Sequence, residues 1–538
     1  MKSIKFNIIG IFLTASLILC GCEDFLDRAP LASLSQASFF GSKRDISTWH
    51  AGIYVSLQNT LNSGHLLWGD ARADLYGSTG PSYIRVNEYT NNLDATQGDY
   101  SWQNLYNVIM KCNTAIAYYP TVPDASETDY NDFLGQAYGL RALMYFYAIR
   151  IWGDVPIVDQ LWDGLVSSSQ IPRSPVSDVK TLILSDLDEA LKLLGADVGG
   201  ARKYYFNRAA AYALKTDVHL WFGENEQALE ASEWFFTGAT GTFRLITNMD
   251  DYRTIFIDPQ TSTETVFTLY WNTVETGVGC NWCGFVGSKG GTGVSVNNGF
   301  RIGRNLFNQF VDRVRSEFGT DARFVANYDT VGIYNTVGTP GNRPPIVQTH
   351  YTVAGAAAIL NKNIKYSPRP TGTPPPVGTW YTVLPLSVEE GGTDGRCQIL
   401  YPIYRFADVY TLRAEALNRL GRGTEALQLV NDIRRRVGYT ADATTEVTTN
   451  NRDSIEWLIL EERKLEFITE GKRWFDLRRW GDAKLIQYMD PIIREHQIEL
   501  GNAPTGFTHP GRVLAPIYFR EFEANPALVQ NEPYGASD

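Results

Sequence analysis

Apolar residues recur at three- and four-residue spacings along most of this chain, and each recurrence predicts a helix. Between Gly135 and Pro156, Leu140, Leu143, Met144, Tyr147 and Ile151 share one face, with Arg141, Tyr145 and Arg150 around its border. Gly153 and Pro156 end that helix, because glycine supplies a left-handed cap and proline lacks the N–H that would continue it. Trp102, Leu105, Tyr106, Ile109, Asn113 and Ile116 form a second stripe, which makes Trp102 a core residue. A third runs through Val179, Leu182, Ile183, Leu187, Ala190, Leu191 and Leu194.

Two further stretches follow one grammar. Ala210, Ala211, Leu214, Val218 and Trp221 make a helix, Gly223 a turn, and Ala228, Leu229 and Ser232 the next helix. Far downstream, Val409, Leu412, Ala416, Leu417 and Leu420 are followed by Gly421 and then Ala426, Leu427 and Val430. In both, the turn glycine stands five residues before an Ala-Leu pair, and small residues there let paired helices approach closely. This is the pattern of tetratricopeptide-like helical hairpins, in two copies that are not tandem. Between them, from about Thr237 to Leu400, the helical period fades and Gly, Thr, Pro and Asn become frequent, with short β-like runs such as Thr265 to Trp271. So much irregular chain in a folded protein is usually functional. Helix resumes at Pro402 and closes with Asp453 to Trp480, where arginines and glutamates read as a helix-face ion-pair network. The expected fold is mainly α: a hairpin scaffold interrupted by a long, loop-rich insertion carrying short strands.

Length and charge narrow the class. At 538 residues the chain exceeds the size at which a single core keeps growing, and 44% hydrophobic with 20% charged residues describes a folded globular protein. The net charge of -11 becomes -13 once Lys2 and Lys5 leave with the leader, so nucleic acid is not an expected partner. Lys2 and Lys5 precede an apolar run, Ile8 to Leu19, too short to span a bilayer. Cys20-Gly21-Cys22 follows, and Cys22 fits a lipidation site better than Cys20 because a small residue, not Leu19, precedes it. The expected organisation is a signal peptide over 1–21, helical regions over 22–236 and 401–538, and the insertion over 237–400.

A search for catalytic chemistry gives little. The six histidines contain no His-Glu-x-x-His and no pair within four residues, so a zinc hydrolase is unsupported. Gly287-Ser-Lys-Gly290 lacks the order of a phosphate loop, and no Gly-x-Ser-x-Gly elbow occurs. A glycosidase's carboxylate pair leaves no sequence signature and stays open as a second reading.

Arg141-Ala-x-x-Tyr145-Phe with Trp152-Gly-Asp-Val-Pro156 resembles the central helix of the SusD/RagB family. Cys22-Glu-Asp24-Phe25-Leu26-Asp27 is similar to that family's acidic segment after the anchor, and Glu461 to Phe467 with Gly471 to Arg479 to its closing helices, so the resemblance spans nearly the whole chain. It implies a non-catalytic lipoprotein, anchored at the outer membrane and facing outward, that binds an oligosaccharide or polysaccharide for a SusC-type TonB-dependent transporter, without metal or cofactor. Some relatives carry peptides, which keeps peptide cargo as an alternative. The ligand is expected at Trp282, held at a loop tip if Cys280 and Cys283 form a tight disulfide ring. The competing readings are a Trp282 folded into the core and two free thiols. By resemblance in location, Arg72, Asp74, Tyr83 and Tyr89 of the N-terminal loops and Arg369 of the proline-rich passage are its expected companions.

Overall fold

The computed structural model describes residues 39–62, 64–77, 86–161, 170–237, 243–247, 249–252, 254–271, 301–303, 400–448 and 451–535, with short stretches between 306 and 323. In chain order the main elements are α1 (Lys43–Leu61), α2 (Gly64–Gly69), β1 (Tyr76–Gly77), α3 (Gln103–Tyr118), α4 (Glu127–Trp152), α5 (Val176–Leu193), α6 (Arg208–Trp221) and α7 (Asn225–Glu233). Strands β2 (Thr265–Tyr270), β3 (Arg301–Ile302) and β4 (Leu400–Arg405) follow. Helices α8 (Phe406–Arg419), α9 (Gly423–Arg436), α10 (Arg452–Glu466), α11 (Arg473–Trp480) and α12 (Asp482–Glu499) close the chain. The fold is predominantly helical, and one large hydrophobic core runs from Phe40 to Leu528.

Helix α4 is the centre of that core. It starts at a capping box in which Ser126 and Asp129 satisfy each other's backbone N–H groups, and it stops at Gly153 with φ +76°. Every residue from Gly139 to Trp152 is buried, so the helix is packed all round, including Arg141, Tyr145 and Arg150, which periodicity alone puts at the border. Each of these polar groups has a partner that periodicity cannot reveal. Arg141 donates to both oxygens of Asp186 at 2.8 and 2.7 Å, and the Tyr145 hydroxyl meets the Val158 backbone. Arg150 pairs with Asp217 at 3.5 Å and lies over the Phe146, Tyr147 and Phe475 rings. Trp102 sits in the core as expected, edge-on to Tyr106 and Trp152.

The two hairpins, apart in sequence, are stacked in space. Gly223 and Gly421 take φ +73° and +81°, the turn conformation a side chain disfavours. Leu220 and Ala228 of the first then meet Leu412 and Ala416 of the second in one apolar seam. The return to helix comes later than Pro402, which lies in β4 opposite Thr268 of β2, with the helix starting at Phe406. That sheet has two strands among the described residues, and proline is tolerated on an edge strand.

The closing helices differ from the expected helix-face network in being buried. Glu462 binds Arg313, Arg323 and Arg434, and Glu466 binds Arg323, Arg405 and Arg436, with all these side chains 10% exposed or less. Removing one member of such a buried network leaves a desolvated charge and costs about 3–5 kcal/mol.

Burial also sets a pH response. His50 is 2% exposed beside Gln136 and Tyr119, and desolvation lowers its pKa to about 4 although the Gln136 hydrogen bond pulls the other way. The folded protein therefore refuses a proton that the unfolded chain accepts below about pH 6.5, so stability is full above that pH and lost as pH falls towards 4. At ~1.4 kcal/mol per unit the loss is about 3 kcal/mol from this residue. Urea unfolding at pH 7 and pH 5 should show the fall in the natural chain and a flatter profile in His50→Gln.

Candidate functional site

Three of the expected ligand residues are described, and all three are inside the protein. Arg72, Asp74 and Tyr89 are each 3% exposed. Arg72 and Asp74 follow the buried end of α2, Leu67-Trp68-Gly69, and Asp70, which packs against the start of α11. The Asp74 carboxylate accepts from Arg473 at 2.7 and 3.0 Å and from the Tyr488 hydroxyl at 2.7 Å, with Lys464 at 3.4 Å. Burial pushes its pKa upward, but Arg473 and Lys464 outweigh burial and hold it well below the usual carboxylate range. Arg72 stacks over the Trp474 ring at 4.3 Å and donates to Asn91 and to the carbonyls of Arg512 and Val513. Tyr89 packs edge-on to His496, whose ring nitrogen reaches the Tyr89 carbonyl at 3.3 Å. These contacts spend the charged groups on the fold. Tyr83, Cys280, Trp282, Cys283, Arg369 and Cys22 lie outside the described residues.

What the structure does place is where the three candidate loops are rooted. β1 pairs antiparallel with β3, with Tyr76 opposite Ile302 and Gly77 opposite Arg301. The segment carrying Tyr83 therefore leaves beside the point where the segment carrying Trp282 returns. β2 pairs with β4, with Tyr270 opposite Leu400. The Trp282 segment thus departs beside the point where the segment carrying Arg369 comes back. The second root is set in the core: Trp271 is fully buried, and the Tyr401 ring lies 3.7 Å from that of His65 in α2.

Sequence reasoning missed the residue that fixes this arrangement. Asp70 is fully buried, and its carboxylate accepts from the backbone N–H groups of Gly471, Lys472 and Arg473 at 2.9, 2.9 and 3.0 Å. It caps α11 from 401 residues away in sequence. An aspartate directly after a buried Trp-Gly is the local signal, but nothing local names its partner.

If Asp74 serves the fold, Asp74→Ala should lower unfolding free energy by about 3–5 kcal/mol, because Arg473 and Lys464 would stay buried without their counter-charge. Denaturant titration measures this. A variant of unchanged stability would return Asp74 to the ligand face.

Known proteins share this outline. Two family models match, one described as the SusD family over residues 361–534 and one as "Starch-binding associating with outer membrane" over residues 24–220. A SusD-like protein of Formosa agariphila is 30% identical, covering 99% of this chain and 100% of its own length. A SusD-like protein of Bacteroides ovatus is 24% identical over 98% of this chain and 95% of its own. Among solved structures, B. fragilis NanU superposes with a TM-score of 0.66 at 22% identity, covering 94% of this chain and 99% of NanU. A laminarin-binding SusD-like protein superposes with a TM-score of 0.64 at 21% identity, covering 92% and 100%. At these identities the solved structures speak to the fold.

Proposed function

This chain belongs to the SusD family, and from that premise we propose that it is a non-catalytic, lipid-anchored protein of the cell surface that captures an oligosaccharide or polysaccharide and passes it to a SusC-type TonB-dependent transporter. The observation that supports a ligand site on these segments is the pairing of their roots. The segments bearing Tyr83, Trp282 and Arg369 start or end on two small sheets, so three stretches far apart in sequence meet the scaffold at paired strand ends. Loops held this way can vary in sequence while the scaffold stays fixed. The laminarin-binding structure of the same fold supports a sugar as cargo. An indole at a loop tip offers the flat apolar face that a pyranose ring stacks on.

A glycan array with the mature protein identifies the sugar, and the affinity expected for such a site is micromolar to millimolar, about -8 to -4 kcal/mol. Trp282→Ala should lose roughly 1 to 3 kcal/mol of that binding by calorimetry with no change in melting temperature. Normal binding, or a variant that unfolds, would assign Trp282 to the core. Release of reducing ends during incubation would replace the binding reading with a hydrolase.

The anchor is tested separately. Cys22→Ala should leave the protein unlabelled by a clickable fatty acid and free of the membrane, while Cys20→Ala should remain labelled. Label persisting in the Cys22 variant would move the anchor to Cys20.

A further inference from the structure

A cleft of about 790 Å³ opens on the helical scaffold. Its walls come from α10 and α12, with Gln309, Asp312 and Arg313 on one side and Tyr439 after α9. The face of α12 turned to it carries Gln487, Tyr488, Pro491, Ile492 and Glu495, at successive turns of the helix. Pro491 stands inside that helix, where it has no N–H to donate to the Gln487 carbonyl.

The lining separates into an aromatic part and a polar part. The aromatic part is Tyr439 and the half-buried Tyr488, which is backed outside the cleft by Trp457, 4.7 Å away and edge-on. Beside these rings the lining carries the carboxylates of Asp312, Glu461 and Glu495 and the amides of Gln309 and Gln487. The two cations in the described lining are already neutralised. Lys464 lies 3.4 Å from Asp74 and 2.6 Å from Glu461, and Arg313 lies 3.1 Å from Asp321 and 2.8 Å from Glu462. Glu461 in turn is fixed by Arg473 and Gln309 at 2.8 and 3.0 Å, yet keeps 18% of its side chain exposed.

Carboxylates and amides beside two tyrosine rings, with Glu461 and Gln309 fixed to each other, in a cleft of the size that takes small ligands, form a site for a neutral polyhydroxylated molecule. A polyanion would meet carboxylates, and among the described lining residues both cations are committed to partners. The geometry points to a further saccharide subsite here, for a neutral oligosaccharide, built from side chains of the helical scaffold. It rests on the glycan-binding reading above and adds to it a place on the rigid scaffold and a charge class.

The test uses the mature full-length chain, titrated calorimetrically with neutral linear glucans, mannans and galactans and with an oligouronate, and followed by hydrogen exchange. Gln487 is exposed, so Gln487→Trp should fold normally while its indole occupies the cleft. The expected result is slowed exchange within 482–499 on adding a neutral oligosaccharide, an affinity reduced roughly tenfold or more in Gln487→Trp, and persistence of that slowed exchange in Trp282→Ala at raised ligand concentration. Should the tryptophan variant misfold, exchange in the natural chain decides alone. Binding unchanged in Gln487→Trp, slowed exchange only outside 482–499, or a preference for the oligouronate would overturn the subsite while leaving the Trp282 site standing. Failure of every sugar to bind the natural chain would overturn both.

Discussion

The carboxylate of Asp70 is the constraint on which the rest of this molecule depends. The first N–H groups of a helix have no partner inside it, and the N-cap of α11, Lys472, supplies no side-chain oxygen. Asp70 supplies both of its own, from the other end of the chain. The contact demands close approach of two backbones, and a Cβ at Gly69 would lie 1.9 Å from the Gly471 carbonyl oxygen. Gly471 itself takes φ +68°. One turn on, Asp74 meets Arg473 and Arg72 covers Trp474, so alternate residues of a short stretch fasten onto successive residues of one helix. Closing the chain this way encloses α4 and sets β1 where β3 can pair with it.

A second layer of charge makes that closure specific. Glu462, Arg463 and Glu466 of α10 and Asp476 and Arg479 of α11 are nearly inaccessible and bind one another or residues of β4, α8 and α9. Burying so many ions has a large desolvation cost, which geometry must offset, and the arginines answer it with paired donors to carboxylates. Arg405, for example, reaches Glu264, Glu466 and Glu470 from a fully buried position at the end of β4. A displaced helix would strand charges inside, so misdocked arrangements are penalised far more than in an apolar core of equal area.

These interactions explain what could and could not be read beforehand. The hairpins were legible because apolar spacing and the turn glycines are local, and the stacking of two hairpins remote in sequence needs only their shared apolar faces. The burial of Arg141, Arg150 and Arg479 was not, because Asp186, Asp217 and Glu415 lie tens of residues away and leave no periodic mark. Pro402 read as the start of a helix because proline suits that position, whereas the alternating Tyr401, Ile403 and β2 opposite it make a strand. For the candidate site, the resemblance pointed to Asp74 as a ligand residue, and spacing could not say that Asp74 lies beneath the surface, bonded to Arg473, Tyr488 and Lys464.

A scaffold overdetermined by paired charges has a consequence for recognition. Strand roots fixed by Trp271, Tyr401 and the β1–β3 and β2–β4 pairs hold the ends of the long segments regardless of what those segments contain. Lengthening a loop costs only slowly more closure entropy, about 0.6 kcal/mol per doubling, so loop length and sequence can change without endangering the fold. Side chains on α10 and α12 have no such freedom, since Glu461, Lys464 and Tyr488 each hold a partner in the buried network. Change in the long segments is therefore separable from the stability of the fold, whereas change on this helical face is not.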